Sequence, residues 1–275
     1  NFYRFGDSGE SEEAFSTRLA DSLEQLILQE GPETVAAFVA EPVMGAGGVI
    51  LPPATYFQKI QVVLDKYDIL LVADEVICGF GRTGNMWGCN TYDIRPDMVT
   101  CAKQLSSGYL PISAVMISEK IYDVFKEQSR KHGAFGMGYT YGGHPVSCAV
   151  ALETLKIYEE RDMIGHVQSV APHFLERLSE LSDSSIVGEA RGVGLIAALE
   201  LVSDKSSRAQ FSPDAKAAPA IAASALARGL VVRALPGDVI GICPPLIIEN
   251  TQVDELFDKL AAAVTETEAL LRKAA

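Results

Sequence analysis

The chain has 275 residues, 48% of them hydrophobic and 21% charged: enough apolar side chain for one large domain or two ordinary ones, and too much for a disordered or fibrous protein. Its 23 Lys and Arg stand against 36 Asp and Glu, and the resulting net charge of −13 repels phosphate backbones and anionic lipid, so nucleic acid is not an expected partner. The longest stretch free of Asp, Glu, Lys and Arg, residues 132–152, carries five glycines, two histidines and a proline, so no membrane span of ~20 apolar residues is expected.

In chain order, residues 11–30 place Phe15, Leu19, Leu23, Leu26 and Ile27 on one face, with Ser11 as cap and Gly31-Pro32 as stop, which predicts an amphipathic helix. An apolar run at 34–40, a Gly-rich loop at 44–48 and a helix from Phe57 to Tyr67 follow. The continuous ILLVA run at 69–73 reads as a strand buried on both faces, as in a parallel sheet covered by helices. Runs at 98–102 and 112–117 make four strand-like segments by residue 118, joined by crossover helices or loops, and predict an α/β layered arrangement. Helices are predicted at 145–160 and 164–181. Beyond 185, strand-type segments at 191–201 and 229–248 flank a helix at 214–228, a polar stretch at 203–213 reads as an exposed loop, and a helix at 252–273 closes the chain. This pattern divides into a larger part, residues 1–160, and a smaller α+β part, residues 161–275.

The five cysteines, Cys78, Cys89, Cys101, Cys148 and Cys243, form no CxxC pair and sit mostly in apolar surroundings, the pattern of reduced, buried thiols in an intracellular, cytoplasmic protein. The opening Asn-Phe-Tyr-Arg-Phe lacks an initiator Met and a basic leader, so the chain reads as processed or as a piece of something longer. His132, His144, His166 and His173 lack metal-ligand spacing and read as turn or surface residues, and no metal site is expected.

Two residues draw attention as chemistry. Asp74 directly follows ILLVA, at the carboxyl end of a presumed parallel strand, where ligands of open α/β sheets gather. The string LLVADE also fits a Walker B strand with Asp74 or Glu75 near magnesium, but no GxxxxGK[ST] phosphate loop occurs, and an Asp after a strand is commonly just a cap. Lys103 follows the apolar MVTCA and precedes the turn-rich SSGYLP; held in an apolar setting its amine would lose its charge and become able to form an imine, although an isolated lysine is more often solvated surface. Together, a strand-end carboxylate and a strand-end amine are what pyridoxal phosphate requires, the carboxylate facing the pyridine nitrogen and holding it protonated so that the ring withdraws electrons.

Four ordered strings, AFVAEPVMGAGGVILPP, LLVADEVICGFGRTG, RPDMVTCAKQLSSGYLP and TYGGHPVSCAVALETL, closely resemble the class III pyridoxal-phosphate-dependent aminotransferases, and the likeness continues through RGVGL to the C-terminal helix. The resemblance implies fold type I: a large α/β domain with a mostly parallel, cofactor-binding sheet, and a smaller C-terminal α+β domain. It implies ping-pong transamination from an ω-amino acid or amine to pyruvate or another 2-oxo acid, in a homodimer whose active site lies at the subunit interface. Lys103 would hold the internal aldimine and shuttle the proton, Asp74 would pair with the pyridine nitrogen, and Val76 would pack on the ring. Thr140 of YTYGGHP would reach the cofactor phosphate of the neighbouring subunit, Arg233 of VVRALPGD would bind the substrate carboxylate through its bidentate fork, and Glu41 of the EPV string would lie near the cofactor.

Two departures from the family pattern carry information. Relatives acting on 4-aminobutyrate or ornithine carry a second Glu, after the EP pair, that engages the mobile arginine; Ala46 stands there, which leaves Arg233 free and resembles the subgroup using pyruvate. The family's common His-Gly-x-Thr-Tyr-Ser reads Met137-Gly138-Tyr139-Thr140-Tyr141-Gly142. Family members are also much longer, so the phosphate cup, the aromatic over the ring and the start of the small domain are expected to lie in a missing amino-terminal part. The rival readings within and beyond the family are an aminomutase or decarboxylase sharing the Lys and Asp, and a non-catalytic dimerisation or binding module.

Overall fold

The computed structural model describes residues 1–274. A short helix α1 (Phe2–Phe5) precedes α2 (Glu12–Glu30), where Ser11 Oγ accepts from the Ala14 N–H at 3.1 Å and Gly31, at φ 90°, ends the helix. The chain continues through β1 (Ala37–Ala40), α3 (Tyr56–Lys66), β2 (Leu70–Asp74), α4 (Gly88–Tyr92), β3 (Met98–Cys101), β4 (Ala114–Ile117), α5 (Glu119–His132) and α6 (Pro145–Glu160). It then forms α7 (Met163–Glu180), β5 (Val187–Val193), β6 (Ile196–Leu201), α8 (Ala217–Ala227), β7 (Arg233–Leu235), β8 (Val239–Ile242) and α9 (Asn250–Ala274).

The first sheet has the order β1-β2-β3-β4, the first three strands parallel. Leu71, Val72 and Ala73 of β2 are all buried, as the unbroken apolar run predicts. Leu71 and Ala73 belong to a core with Ile60 and Leu64 of α3 and Ile27 of α2. The expected run at 112–117 begins only at Ala114, and β4 turns back antiparallel to β3, with Thr100 opposite Val115, so no crossover helix separates them.

The second sheet is antiparallel, ordered β5-β6-β8-β7, and β6 is buried along its whole length. Residues 191–201, expected as one strand-type segment, fold back as a hairpin at Gly194, whose φ of +56° suits glycine. Phe174 of α7 and Phe257 of α9 meet at 5.2 Å between ring centroids and close a core with Leu199 and Ile240. A third cluster, with Val43, Val49 and Cys78 against Ile196, Ala198 and Leu235, joins the loops after β1 and β2 to this sheet.

Several elements differ from expectation. Helices α4 and α5 lie outside the elements the sequence predicts; α5 buries no residue, although Tyr122 and Phe125 on it are large and apolar. Residues 203–213 do form an exposed turn, pinched by a bridge between Asp204 and Ala209. His166 and His173 lie in α7 rather than in turns, His173 Nε2 within 2.8 Å of the Asp254 carboxylate. All five cysteines are unpaired, but only Cys78, Cys89 and Cys101 are buried; Cys148 is half-buried and Cys243 exposed. Among the described residues no helix is long and apolar enough to cross a membrane.

Candidate active site

Three parallel strands deliver their carboxyl ends to one edge of the first sheet, and the candidate residues sit there. Glu41 follows β1 directly, Asp74 ends β2, and Lys103 stands two residues beyond β3. Register pairs Asp74 with Thr100, so carboxylate and amine belong to adjoining strands. One Asp74 oxygen accepts the Val76 N–H at 3.0 Å, a turn cap that fixes the side chain and sets half-buried Val76 just beyond it. Glu41 Oε2 accepts the Gly45 N–H at 2.9 Å, which ties the strand end to the Gly-rich loop.

Lys103 adopts φ +41°, the left-handed region uncommon for a residue with a Cβ. Of the two settings the sequence leaves open, apolar or solvated, the structure shows the second: the Lys103 side chain is exposed and lines a cavity of about 720 Å³ with Arg82, Tyr109, Tyr158 and Arg161, among others. The loop that follows packs inward, with Leu105 and Ser106 buried and Leu105 clustered with Ala151 of α6, while Lys103 itself stays exposed. Asp74 does not line that cavity.

Arg233, exposed at the start of β7, lines a neighbouring cavity of about 410 Å³ together with Gly45, Ala46, Val49, Ile77 and Cys243. Ala46 and Arg233, paired in the sequence argument, thus share one enclosure. Cys243 lines the Arg233 cavity but not the Lys103 one: desolvation by the surrounding protein pushes its thiol pKa up, while the charges of Arg82, Arg233 and Lys103 all oppose that rise. Thr140 lies apart from both, in the exposed segment between α5 and α6 with Tyr139 and Tyr141.

Some site-shaping roles escaped the sequence reading, including that of Glu75, which it offers only as a magnesium neighbour in a Walker B strand. Glu75, fully buried, accepts the Gly88 and Cys89 N–H groups at 2.9 and 2.7 Å and so ties α4 to the residue after Asp74. Its signal was only its adjacency to Asp74. Cys78, on the same turn, donates toward the Val43 carbonyl, and burial pushes its pKa up to about 12. Buried Arg82 donates to the Leu195 and Pro244 carbonyls at 2.9 and 2.7 Å, lying between Lys103 and the second sheet; burial lowers its pKa.

The chain matches the family described as aminotransferase class-III over residues 3–264. It is 55% identical, over 98% of its length and 51% of the relative's, to gamma aminobutyrate transaminase 3, chloroplastic, of Solanum lycopersicum. Against a probable gamma-aminobutyrate transaminase 3, mitochondrial, of Oryza sativa subsp. indica the identity is 54%, covering 98% and 52% of the two chains. A solved transaminase with L-ala superposes with a TM-score of 0.96 at 53% identity, covering 98% of this chain and 64% of that one. The omega transaminase of Pseudomonas jessenii in complex with PMP gives 0.96 at 48% identity, covering 98% and 60%. The chain spans about half the length of the curated relatives it matches. With three strand ends meeting at one sheet edge and residues 3–264 of the chain matched by the family, the chain belongs to the class-III aminotransferases, pyridoxal-phosphate proteins of fold type I.

Proposed function

We propose that the protein moves an amino group from an ω-amino acid to a 2-oxo acid, with 4-aminobutyrate as donor and pyruvate as acceptor. The observation that carries this reading is the placement of Lys103 and Asp74 at the carboxyl ends of adjoining parallel strands. Those residues fit pyridoxal phosphate: an exposed amine beside a cavity, and a carboxylate with one oxygen spent on its own turn and the other free. When bound, the cofactor supplies an aromatic ring that withdraws electrons from the substrate carbon.

Lys103 would hold the cofactor through its amine and, when free of it, would carry the proton to and from the substrate carbon. Asp74, held by its own turn, would keep a proton on the pyridine nitrogen, and Val76 would pack on the ring. Thr140, exposed, offers its hydroxyl to the phosphate bound by a second copy, which makes the working unit a homodimer. Arg233 clamps the substrate carboxylate, and Glu41 fixes the loop opposite. The donor follows the relatives' names. The acceptor follows the absence of a carboxylate at Ala46 and the L-ala in the solved transaminase. The division at residue 160, with the first sheet before it and the second after, is the domain boundary of this reading. A cytoplasmic location rests on the five unpaired thiols, while the relatives named above are labelled chloroplastic and mitochondrial.

Borohydride reduction of the whole protein with pyridoxal phosphate, followed by peptide mapping, tests the assignment. The expected result is one pyridoxyl group on the peptide bearing Lys103, and alanine formed from pyruvate with 4-aminobutyrate. Labelling spread over surface lysines, or no label on Lys103, overturns it.

A further inference from the structure

Glu189 and Glu200 stand directly opposite each other across β5 and β6, a pairing of like charges that a sheet ordinarily disfavours. Arg191, on the same face of β5, resolves it: its Nη1 donates to Glu189 at 2.5 Å and to Glu200, and Arg4 also donates to Glu200. Two carboxylates therefore fix this buried guanidinium from one side. Its other N–H groups point away from the sheet, Nη2 donating to the Gly48 carbonyl at 2.6 Å and Nε to the Val49 carbonyl at 2.8 Å. The turn so gripped is strained: Gly48 has φ +125°, and Val49, buried and β-branched, has φ +50°.

The gripped turn closes the loop at residues 44–50, whose Met44 and Ile50 pair backbone to backbone at 2.9 and 3.1 Å. Gly45, Ala46 and Val49 of that loop form the wall that shares a cavity with Arg233. Arg191 does not line the cavity, so it acts only through the loop.

We propose that Arg191, seated on the Glu189–Glu200 pair, is the positioning residue that holds the 44–50 loop against the Arg233 cavity and thereby sets how well a carboxylate-bearing donor fits there. The donor half of this assignment rests on the transaminase reading; the loop half does not. Lysine cannot reach two carbonyls and two carboxylates with a planar fork, so Arg191→Lys keeps the charge and loses the grip.

Hydrogen exchange on the 275-residue chain reads the loop without any cofactor. In R191K the amides of Met44, Val49 and Ile50 are expected to exchange about tenfold faster, while Leu199 and Ile240 in the second sheet hold their protection. Glu189→Gln, which removes only the outer ion pair, should shift the same amides in the same direction by less, and serves where R191K does not fold. Glycine at position 49 removes the left-handed strain, so R191K with V49G should lose less loop protection than the sum of the two single variants. Unchanged loop exchange in both R191K and E189Q, exchange rising equally across β6 and β8, or full additivity with V49G overturns the assignment.

In the whole protein with pyridoxal phosphate, R191K should raise KM for 4-aminobutyrate about tenfold with kcat within about twofold, and leave turnover of n-butylamine, which has no carboxylate, unchanged. Equal loss on both donors overturns the specificity role. A loop that loosens as expected in a protein showing no transamination with either donor overturns the proposed function and supports the loop assignment.

Discussion

Asp74 and Lys103 are 29 residues apart in the chain yet end up on neighbouring parallel strands, because Asp74 lies opposite Thr100, three residues before the lysine. The Asp74 carboxylate has two separable jobs. One oxygen caps the Val76 N–H, which asparagine also does through its side-chain carbonyl; on the proposed reading the other would hold a proton on the cofactor. Asp74→Asn should therefore keep the fold, with an unchanged melting temperature, and lower kcat by about 10- to 100-fold through loss of a charge-assisted hydrogen bond. Steady-state kinetics beside a thermal melt check this, and a folded D74N enzyme with full kcat would remove Asp74 from the chemistry.

Glu75, the next residue, does a different task from the same turn. Its buried carboxylate satisfies two N–H groups at the start of α4, a five-residue helix too short to stand by propensity alone. Glu75→Ala should cost about 3–5 kcal/mol, since it leaves buried donors without partners, and Glu75→Gln about 1–3 kcal/mol. Trp87, the sole tryptophan, precedes α4 and packs on Phe80 at 4.9 Å, so denaturant unfolding followed by its fluorescence reports both variants. Equal stability of E75A and the parent would show that α4 is held by its packing.

Much of the scaffold was legible because local signals and tertiary demands agree in it. The 12–30 helix carries its own cap and stop, β2 is buried on both faces and reads as unbroken hydrophobicity, and α6 runs over 145–160 as its proline and periodicity indicate. What stayed hidden depends on partners far along the chain. Arg191 takes its meaning from carbonyls 142 residues away and Arg82 from one 113 residues away, distances over which no sequence period operates. Helix α5 buries nothing, α4 is anchored by a carboxylate upstream, and β4 reverses direction after a turn that composition alone does not distinguish from a crossover. At the site, strand-end position singled out Asp74 and Lys103 as candidates, but the exposure of Lys103 depends on how its loop meets α6 and the segment after β8, which the string does not encode locally.

The thiols offer a cheap reading of the site's environment. Cys78, Cys89 and Cys101 are buried, with pKa values raised first by that burial, so they should resist alkylation in the native protein. Cys243 is exposed on the wall of the Arg233 cavity and should be labelled first. Because its pKa too is raised, the labelling rate should still be climbing above the pH at which an ordinary thiol levels off. Iodoacetamide time courses with peptide mapping from pH 7 upward check both points; labelling of Cys78 ahead of Cys243 would contradict the packing around the β2 turn.

Gly194 makes the sharpest single-residue demand on the second sheet. At φ +56° its place disfavours any Cβ, and an added one would lie 2.5 Å from the Arg82 carbonyl oxygen, a backbone atom that cannot swing aside. Arg82 and Leu195 also exchange hydrogen bonds there, the Leu195 N–H donating to the Arg82 carbonyl at 3.0 Å. Gly194→Ala should then cost about 3 kcal/mol or more and separate the hairpin from the turn after β2. Chemical denaturation measures this, and a loss below about 1 kcal/mol would mean that the two segments part easily.

Acid should act on the same sheet through Glu200. Burial by itself raises its pKa, but the Arg191 charge and hydrogen bonds from Arg4, Arg191 and Asn1 outweigh that and hold it below the ordinary value of 4.5. A carboxyl whose folded pKa is depressed contributes stability that is present above its unfolded pKa and is lost as the pH falls through the lower, folded one. Thermal melts from neutral pH downward should therefore show the parent losing stability below about pH 4.5 more steeply than Glu200→Gln, in which that titration is absent. At neutral pH the order reverses in size of effect: E200Q should already be about 3 kcal/mol less stable, because Arg4 loses its carboxylate partner and buried Arg191 keeps only Glu189. Parallel profiles for the two proteins would place the acid sensitivity elsewhere and leave the Glu189–Arg191–Glu200 arrangement without the electrostatic weight that its buried geometry implies.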